Sequence, residues 1–360
     1  MENNQPAQTA NKSGHFLSGL QKALLLVVVG AIIIAMVLGW YYLRLTKPMI
    51  RLKERKFTYF YIHTGSGFNA VKDSLVKKGY LTDPETFEWL ARKKHYDQHV
   101  SPGRYRLTNG MHNNALVNLL RSGNQEPIRI IIQNVRNSAE LAGKIGRQLE
   151  VDSAQLGQLF SDSNYLAKFG ISPSSLFTLF IPNTYEFYWN TSGDQLFKRM
   201  FEEYEKFWTP ERKRLAGTLH LSIPEVVTLA SIVEKESNKK DEKPAIAGVY
   251  LNRLRKQIPL QADPTVIFAW NDYRIKRVFK RHTEINSPYN TYLHAGLPPG
   301  PICLPSINSV DAVLHALKHN YFYFCAREDL SGYHNFATDL DGHNKNAKKY
   351  QKALNKMNIR

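Results

Sequence analysis

Residues 23–43 read ALLLVVVGAIIIAMVLGWYYL, a run without a single charge. Roughly 20 apolar residues cross the hydrocarbon core of a bilayer. A cleaved signal peptide has a shorter apolar core, usually about 7–15 residues, followed by a small-residue cleavage site. This run is longer, and it ends in Trp40, Tyr41 and Tyr42, the residue types that gather at a membrane interface. The run therefore predicts a retained transmembrane helix over residues 23–45. Everything after it must fold on one side of the membrane.

Which side is contested within the sequence. Lys12 and Lys22 precede the run, whereas Arg44, Lys47, Arg51, Lys53, Arg55 and Lys56 follow it. Positive flanks favour the cytoplasm, so this count places the large C-terminal part there. Residues 1–22 are polar and read as a disordered tail. Residues 46–56 read as a basic juxtamembrane linker able to touch anionic lipid.

The remaining length suits about two domains. The net charge of +17 suggests an anionic partner, whether nucleic acid, acidic lipid or acidic polymer, although the basic residues are widely spread. No helix-turn-helix, RRM or zinc pattern supports nucleic acid. Cys303 and Cys325 form no CxxC, and their pairing does not follow from sequence. His334 and His343 accompany Asp339 and Asp341 at irregular spacing, so neither metal nor cofactor is expected.

Strand and helix patterns alternate from Phe57 onward. FTYFYI and GRYRL read as strands, and residues 69–78, 84–94 and 114–123 as short helices, making a small α/β module over 57–127. IRIII at 128–132 opens a larger α+β domain that runs to residue 360. Residues 138–170 look helical. The aromatic stretch 176–189 fits either a core strand and turn or a wall against which sugars stack.

The densest chemistry begins at Ser222. Ser222-Ile223-Pro224-Glu225 is a capping-box pattern that starts a helix, EVVTLASIVEKES. At roughly 100° per residue, Val226, Leu229, Ala230 and Val233 form its apolar stripe. Glu236 continues that stripe near the helix end, while Glu234 lies at its margin. A carboxyl on the buried stripe has its pKa raised by desolvation, which suits a general acid near neutral pH. The plainer alternative is a Glu paired with Lys240 or Arg253.

Further segments follow in order: NRL at 252–254, LQADPTV at 260–266, YNTY at 289–292, GLPPGPI at 296–302 and HNFATDLDGHN at 334–344. With ASIVEKES, this ordered set resembles the YceG-like family, the MltG-type endolytic murein transglycosylases, over about residues 130–355. The resemblance implies a LysM-like subdomain at 57–127 and Glu236 as catalytic acid/base. It implies glycan-contacting or site-shaping roles for Ser237, Gln261, Asp263, Thr265, Tyr289, Asn290, Thr291 and Tyr292. It also implies cleavage between MurNAc and GlcNAc with 1,6-anhydro ends, action beside peptidoglycan synthases, and an extracytoplasmic catalytic domain. The last point opposes the flank count.

Phe177-Thr178 and Pro182-Asn183-Thr184-Tyr185 depart from the acidic residues many members carry there. Two rival readings stand: a non-catalytic peptidoglycan tether, and a cytoplasm-facing nucleic-acid protein. Within the enzyme class, a two-carboxylate hydrolase would take Asp263 as its second carboxyl.

Overall fold

The computed structural model describes residues 19–356. The tail expected at 1–22 falls mostly outside them. Its last four residues already belong to a helix, Gly19–Thr46, which is longer than the apolar run itself. That helix is apolar enough to cross a membrane, and its apolar side chains are exposed.

The chain separates into two compact units, residues 1–125 and 126–360. In the first, strands Phe57–Ile62 and Gly103–Thr108 pair antiparallel. Helices Phe68–Lys77 and Pro84–Lys93 lie between them in sequence, and Asn113–Ser122 follows. Phe60, Leu75, Phe87, Tyr105 and Leu116 sit at the centre of one core. Gly123 ends the last helix in the left-handed conformation at φ 65°, which glycine adopts without penalty.

Residues 46–56 do not form the expected linker. Pro48 bridges to His112 and Ile50 to Leu81. Met49, Ile50 and Leu52 are buried. The apolar residues among the basic ones pack inward, and the cations stay outside.

The second unit is α+β, with two short antiparallel pairs: Ile128–Ile132 with Asn183–Phe187, and Tyr323–Ala326 with His334–Ala337. One core gathers around the first pair and helix Gly193–Phe207. The helical stretch at 138–170 is three short helices, each started by an Asn or Asp side chain that accepts backbone N–H bonds: Asn137, Asp152 and Asp162. The aromatic segment 176–189 is core rather than a sugar wall. Phe177, Phe180, Tyr185, Phe187 and Trp189 are buried, and the Tyr185 hydroxyl donates to the Ile181 carbonyl at 2.6 Å.

The second core surrounds helix Ile223–Glu236. Its start is as the sequence predicts. Glu225 accepts from the Ser222 backbone N–H at 2.7 Å, with Pro224 in the first turn. The expected single apolar stripe, however, is a helix whose middle is buried all round: every residue from Val226 to Val233 is buried. Helices Lys243–Arg255, Asp263–Trp270 and Ile307–Leu314 pack around it. Position on the wheel therefore does not separate a buried from an exposed side. It decides which neighbour each residue meets.

Candidate active site

Glu236 is the last residue of that buried helix, where the backbone leaves the core and turns extended at Ser237. It borders a cleft of about 400 Å³ lined by Glu236, Tyr250, Arg253, Gln261, Asp263 and Tyr292, with further residues from the C-terminal hairpin and helix. The Tyr250 hydroxyl donates to Glu236 Oε1 at 2.5 Å. No second hydrogen bond and no ion pair reaches the carboxyl among the described residues, so Oε2 is left for a ligand. The expected alternative partners, Lys240 and Arg253, are not paired with it.

Burial pushes the Glu236 carboxyl up to about 7. The Tyr250 hydrogen bond pulls the other way, and the neighbouring Asp263 charge adds to the rise. At neutral pH such a group is present in both protonation states, so it can give a proton in one step and take one in the next.

Asp263 opens helix Asp263–Trp270 and enters the same cleft. Burial raises its pKa, and the Tyr292 hydroxyl, donating to Oδ1 at 2.5 Å, opposes that rise. The cleft's cation is Arg253, whose guanidinium donates to the Leu260 carbonyl at 3.3 Å and to Gln261 Oε1 at 2.8 Å. These bonds hold Gln261 in a left-handed backbone conformation at φ 52°, uncommon outside glycine. Arg253 has no carboxylate partner among the described residues.

The residues singled out from sequence thus divide. Glu236, Gln261, Asp263 and Tyr292 meet in the cleft. Ser237, Thr265, Asn290 and Thr291 are buried, a placement that fits the site-shaping one of the two roles expected for them. They hydrogen-bond to the segments around the cleft. Thr291 Oγ1 accepts from the Ala262 N–H at 3.0 Å and lies 2.9 Å from the Thr265 hydroxyl. The Thr291 carbonyl accepts from the Gln261 N–H at 3.0 Å. Asn290 donates to the Thr283 and Ile285 carbonyls at 2.9 and 2.8 Å. It also accepts from the Tyr292 N–H at 3.0 Å. Tyr289 packs its ring on Phe268 with centroids 4.7 Å apart. The YNTY segment is therefore a clamp that sets Tyr292 against Asp263.

Ser237 turns away from the cleft toward Glu242, donating at 3.3 Å. The buried Glu242 carboxylate also accepts from the His334 backbone N–H and faces its Nδ1, both at 2.7 Å. This joins the C-terminal hairpin to the end of the helix carrying Glu236. Among the described residues no group of three or more His, Cys, Asp or Glu side chains is placed to hold a metal ion. Cys303 and Cys325 are free thiols, the first buried. The second glycine of GLPPGPI is a packing requirement, since a Cβ at Gly300 would stand 1.9 Å from the Ser174 carbonyl oxygen.

Sequence reasoning missed Tyr250, Tyr323, Phe324, Leu340 and His343 as cleft residues. Tyr250 carried one weak signal, a phenol on an otherwise apolar helix face. Its partner lies 14 residues away across a loop, beyond any periodic pattern.

A family model of the YceG-like family matches residues 60–349. The chain belongs to the YceG-like family. An endolytic murein transglycosylase of Bacillus subtilis is 29% identical over 313 residues, 82% of this chain and 85% of that protein. Two endolytic murein transglycosylases from Streptococcus pneumoniae strains are each 25% identical over 338 residues, 86% of this chain. The chain spans 61% of their length, so they carry further sequence that this YceG-like chain does not match. The crystal structure of a YceG-like protein from Listeria monocytogenes shares 25% identity at a TM-score of 0.55, covering 81% of this chain and 98% of that one.

Proposed function

We propose that this YceG-like chain is a membrane-anchored lytic transglycosylase that cuts peptidoglycan glycan strands internally, with Glu236 as acid and then base. The observation that carries this reading is the state of one carboxyl: desolvated, poised near 7, bound at one oxygen by Tyr250 and open at the other. The names of the relatives support the substrate class.

In the proposed reaction Glu236 donates its proton to the glycosidic oxygen as the C1–O bond of MurNAc breaks. The substrate's N-acetyl group relieves the positive charge at C1. The ionised Glu236 then takes the proton of the MurNAc 6-hydroxyl as that oxygen bonds to C1. One bond breaks, one forms, the carboxyl regains its proton, and a 1,6-anhydro end results without water. The intramolecular attack gains from proximity. Asp263, held by Tyr292, assists by keeping Glu236 protonated. Cutting nascent strands in this way would end their elongation, placing the catalytic unit outside the cytoplasmic membrane and beside the peptidoglycan synthases.

The test is digestion of purified peptidoglycan by the detergent-solubilised full chain and by Glu236→Gln, with products read by mass spectrometry. Anhydro-ended fragments from wild type alone are expected. Reducing ends would transfer the assignment to a two-carboxylate hydrolase using Asp263. Glycan binding without cleavage by either protein would leave a non-catalytic tether.

A further inference from the structure

The small N-terminal unit holds a cavity of about 560 Å³ that the cleavage reaction does not use. Its walls come from two places. Arg51, Lys53 and Arg55 belong to the segment just after the apolar helix, and Lys77 and Lys78 end helix Phe68–Lys77. Glu54 is the single acidic residue among the lining side chains, so five cations face one carboxylate. The ion pairs of this unit lie elsewhere, Lys72 and Arg92 with Glu88, and none among the described residues engages the five. Lysines at a helix C-terminus also complement the helix dipole. Arg51, Lys53 and Arg55 have no such role, and they converge on the same cavity.

The position of the cavity decides its ligand. The unit is seated on the end of the apolar helix without a free linker. Lys93 donates to the Tyr41 hydroxyl at 3.0 Å, and the Tyr41 and Trp89 rings meet edge-on at 5.7 Å. Pro48 and Ile50 are bridged into the domain. Arg51 is five residues on from Thr46, which bounds their distance to about 18 Å even for a fully extended chain. Tyr41 and Trp40 are interfacial residue types. Arg51, Lys53 and Arg55 are thus tethered near the end of the apolar helix, in a segment whose Met49, Ile50 and Leu52 are anchored in the core of the unit.

We propose that this cavity is a binding site for the phosphate-bearing headgroup of an anionic membrane lipid. Several guanidinium and ammonium groups converging on one open cavity match a phosphodiester's charge and acceptor oxygens. The proposal also gives three of the six basic residues that follow the helix, Arg51, Lys53 and Arg55, a role in a folded site that does not depend on a topological signal, and on this point it rests on the proposed extracytoplasmic function.

The experiment is native mass spectrometry of the full chain in detergent, titrated with phosphatidylglycerol or phosphatidylcholine. Wild type is expected to retain the anionic lipid about tenfold better than the zwitterionic one. Lys77→Gln with Lys78→Gln, and separately Arg51→Gln with Arg55→Gln, are expected to reduce that preference to about twofold or less. All four side chains are exposed, and unchanged thermal unfolding will show that the variants fold. Equal retention of both lipids, or a preference untouched by either variant, overturns the proposal. Capture of inorganic phosphate without any lipid preference would make this a soluble-anion site and overturn the lipid assignment.

Discussion

Glu234 and Glu236 stand two residues apart on one buried helix, and their surroundings drive them in opposite directions. Burial alone would raise both. Around Glu234 it is outweighed: Lys243 donates to Oε2 at 2.9 Å, Ser306 at 2.6 Å, and Ser309 donates as well. These bonds and the Lys243 charge hold the carboxyl below its ordinary value. Glu236 accepts from one phenol and pairs with no cation among the described residues, and a second carboxyl stands nearby, so the pKa climbs to about 7. Burial does not by itself mark a catalytic carboxyl. What distinguishes the two is whether burial is compensated, and an uncompensated one is kept at a cost in stability.

That contrast can be broken most severely at the chemistry. Glu236→Gln is expected to lower the cleavage rate by at least about 100-fold, the lower range for losing a general acid. Glu234→Gln, in the fraction that folds, should keep most of it. Rates measured on one peptidoglycan preparation check both, and comparable losses would mean the two sites are not functionally distinct.

Stability should show the reverse ranking. Lys243→Met leaves Glu234 buried without its cation and is expected to cost about 3 kcal/mol, read as a fall in denaturant midpoint. The pH dependence sharpens the point, because the linkage signs differ. Glu234, depressed, contributes stability that is present above its unfolded value and lost as pH falls through its folded pKa. Glu236, raised, favours the fold below its unfolded value, and that contribution is lost as pH rises toward 7. Glu236→Gln should therefore gain on wild type by about 2–3 kcal/mol between pH 4 and pH 8. Thermal melts across that range test it, and a constant difference would remove the argument for a raised pKa.

A smaller effect is expected at Tyr250. Its hydrogen bond holds the Glu236 pKa down, so Tyr250→Phe should move the alkaline limb of the rate profile to higher pH, with a rate loss of about tenfold or less. A limb shifted to lower pH would mean that the phenol does not act on this carboxyl. Ser306→Ala removes one of several bonds to Glu234 and should cost about 1 kcal/mol, with cleavage unchanged.

Much of this was legible in the residue order. The apolar run announced its helix, Ser222 to Glu225 announced the start of the central helix, and Asp83-Pro84 announced another, because caps and period are local properties. The YNTY and QADPT segments were legible as important, but which of their residues enter the cleft and which only shape it was not. Whether Thr265 and Thr291 face sugar or each other depends on two loops meeting 26 residues apart. The stretch 46–56 was misread for a similar reason: its charges are conspicuous, and burial of Met49, Ile50 and Leu52 needs partners that appear only much later in the chain.

By itself, then, the sequence determined the apolar N-terminal helix long enough to cross a membrane, the positions of most helices and strands, and the carboxyl on which the chemistry is proposed to turn. All of these depend on neighbours within a few turns of the chain. The tertiary structure decided what Glu236 and Glu234 each meet, that Tyr250 orients one while Lys243 neutralises the other, and that the cations after the apolar helix line a cavity. A pKa and a pocket are set by groups brought together from distant positions, and that proximity exists only once the cores have closed.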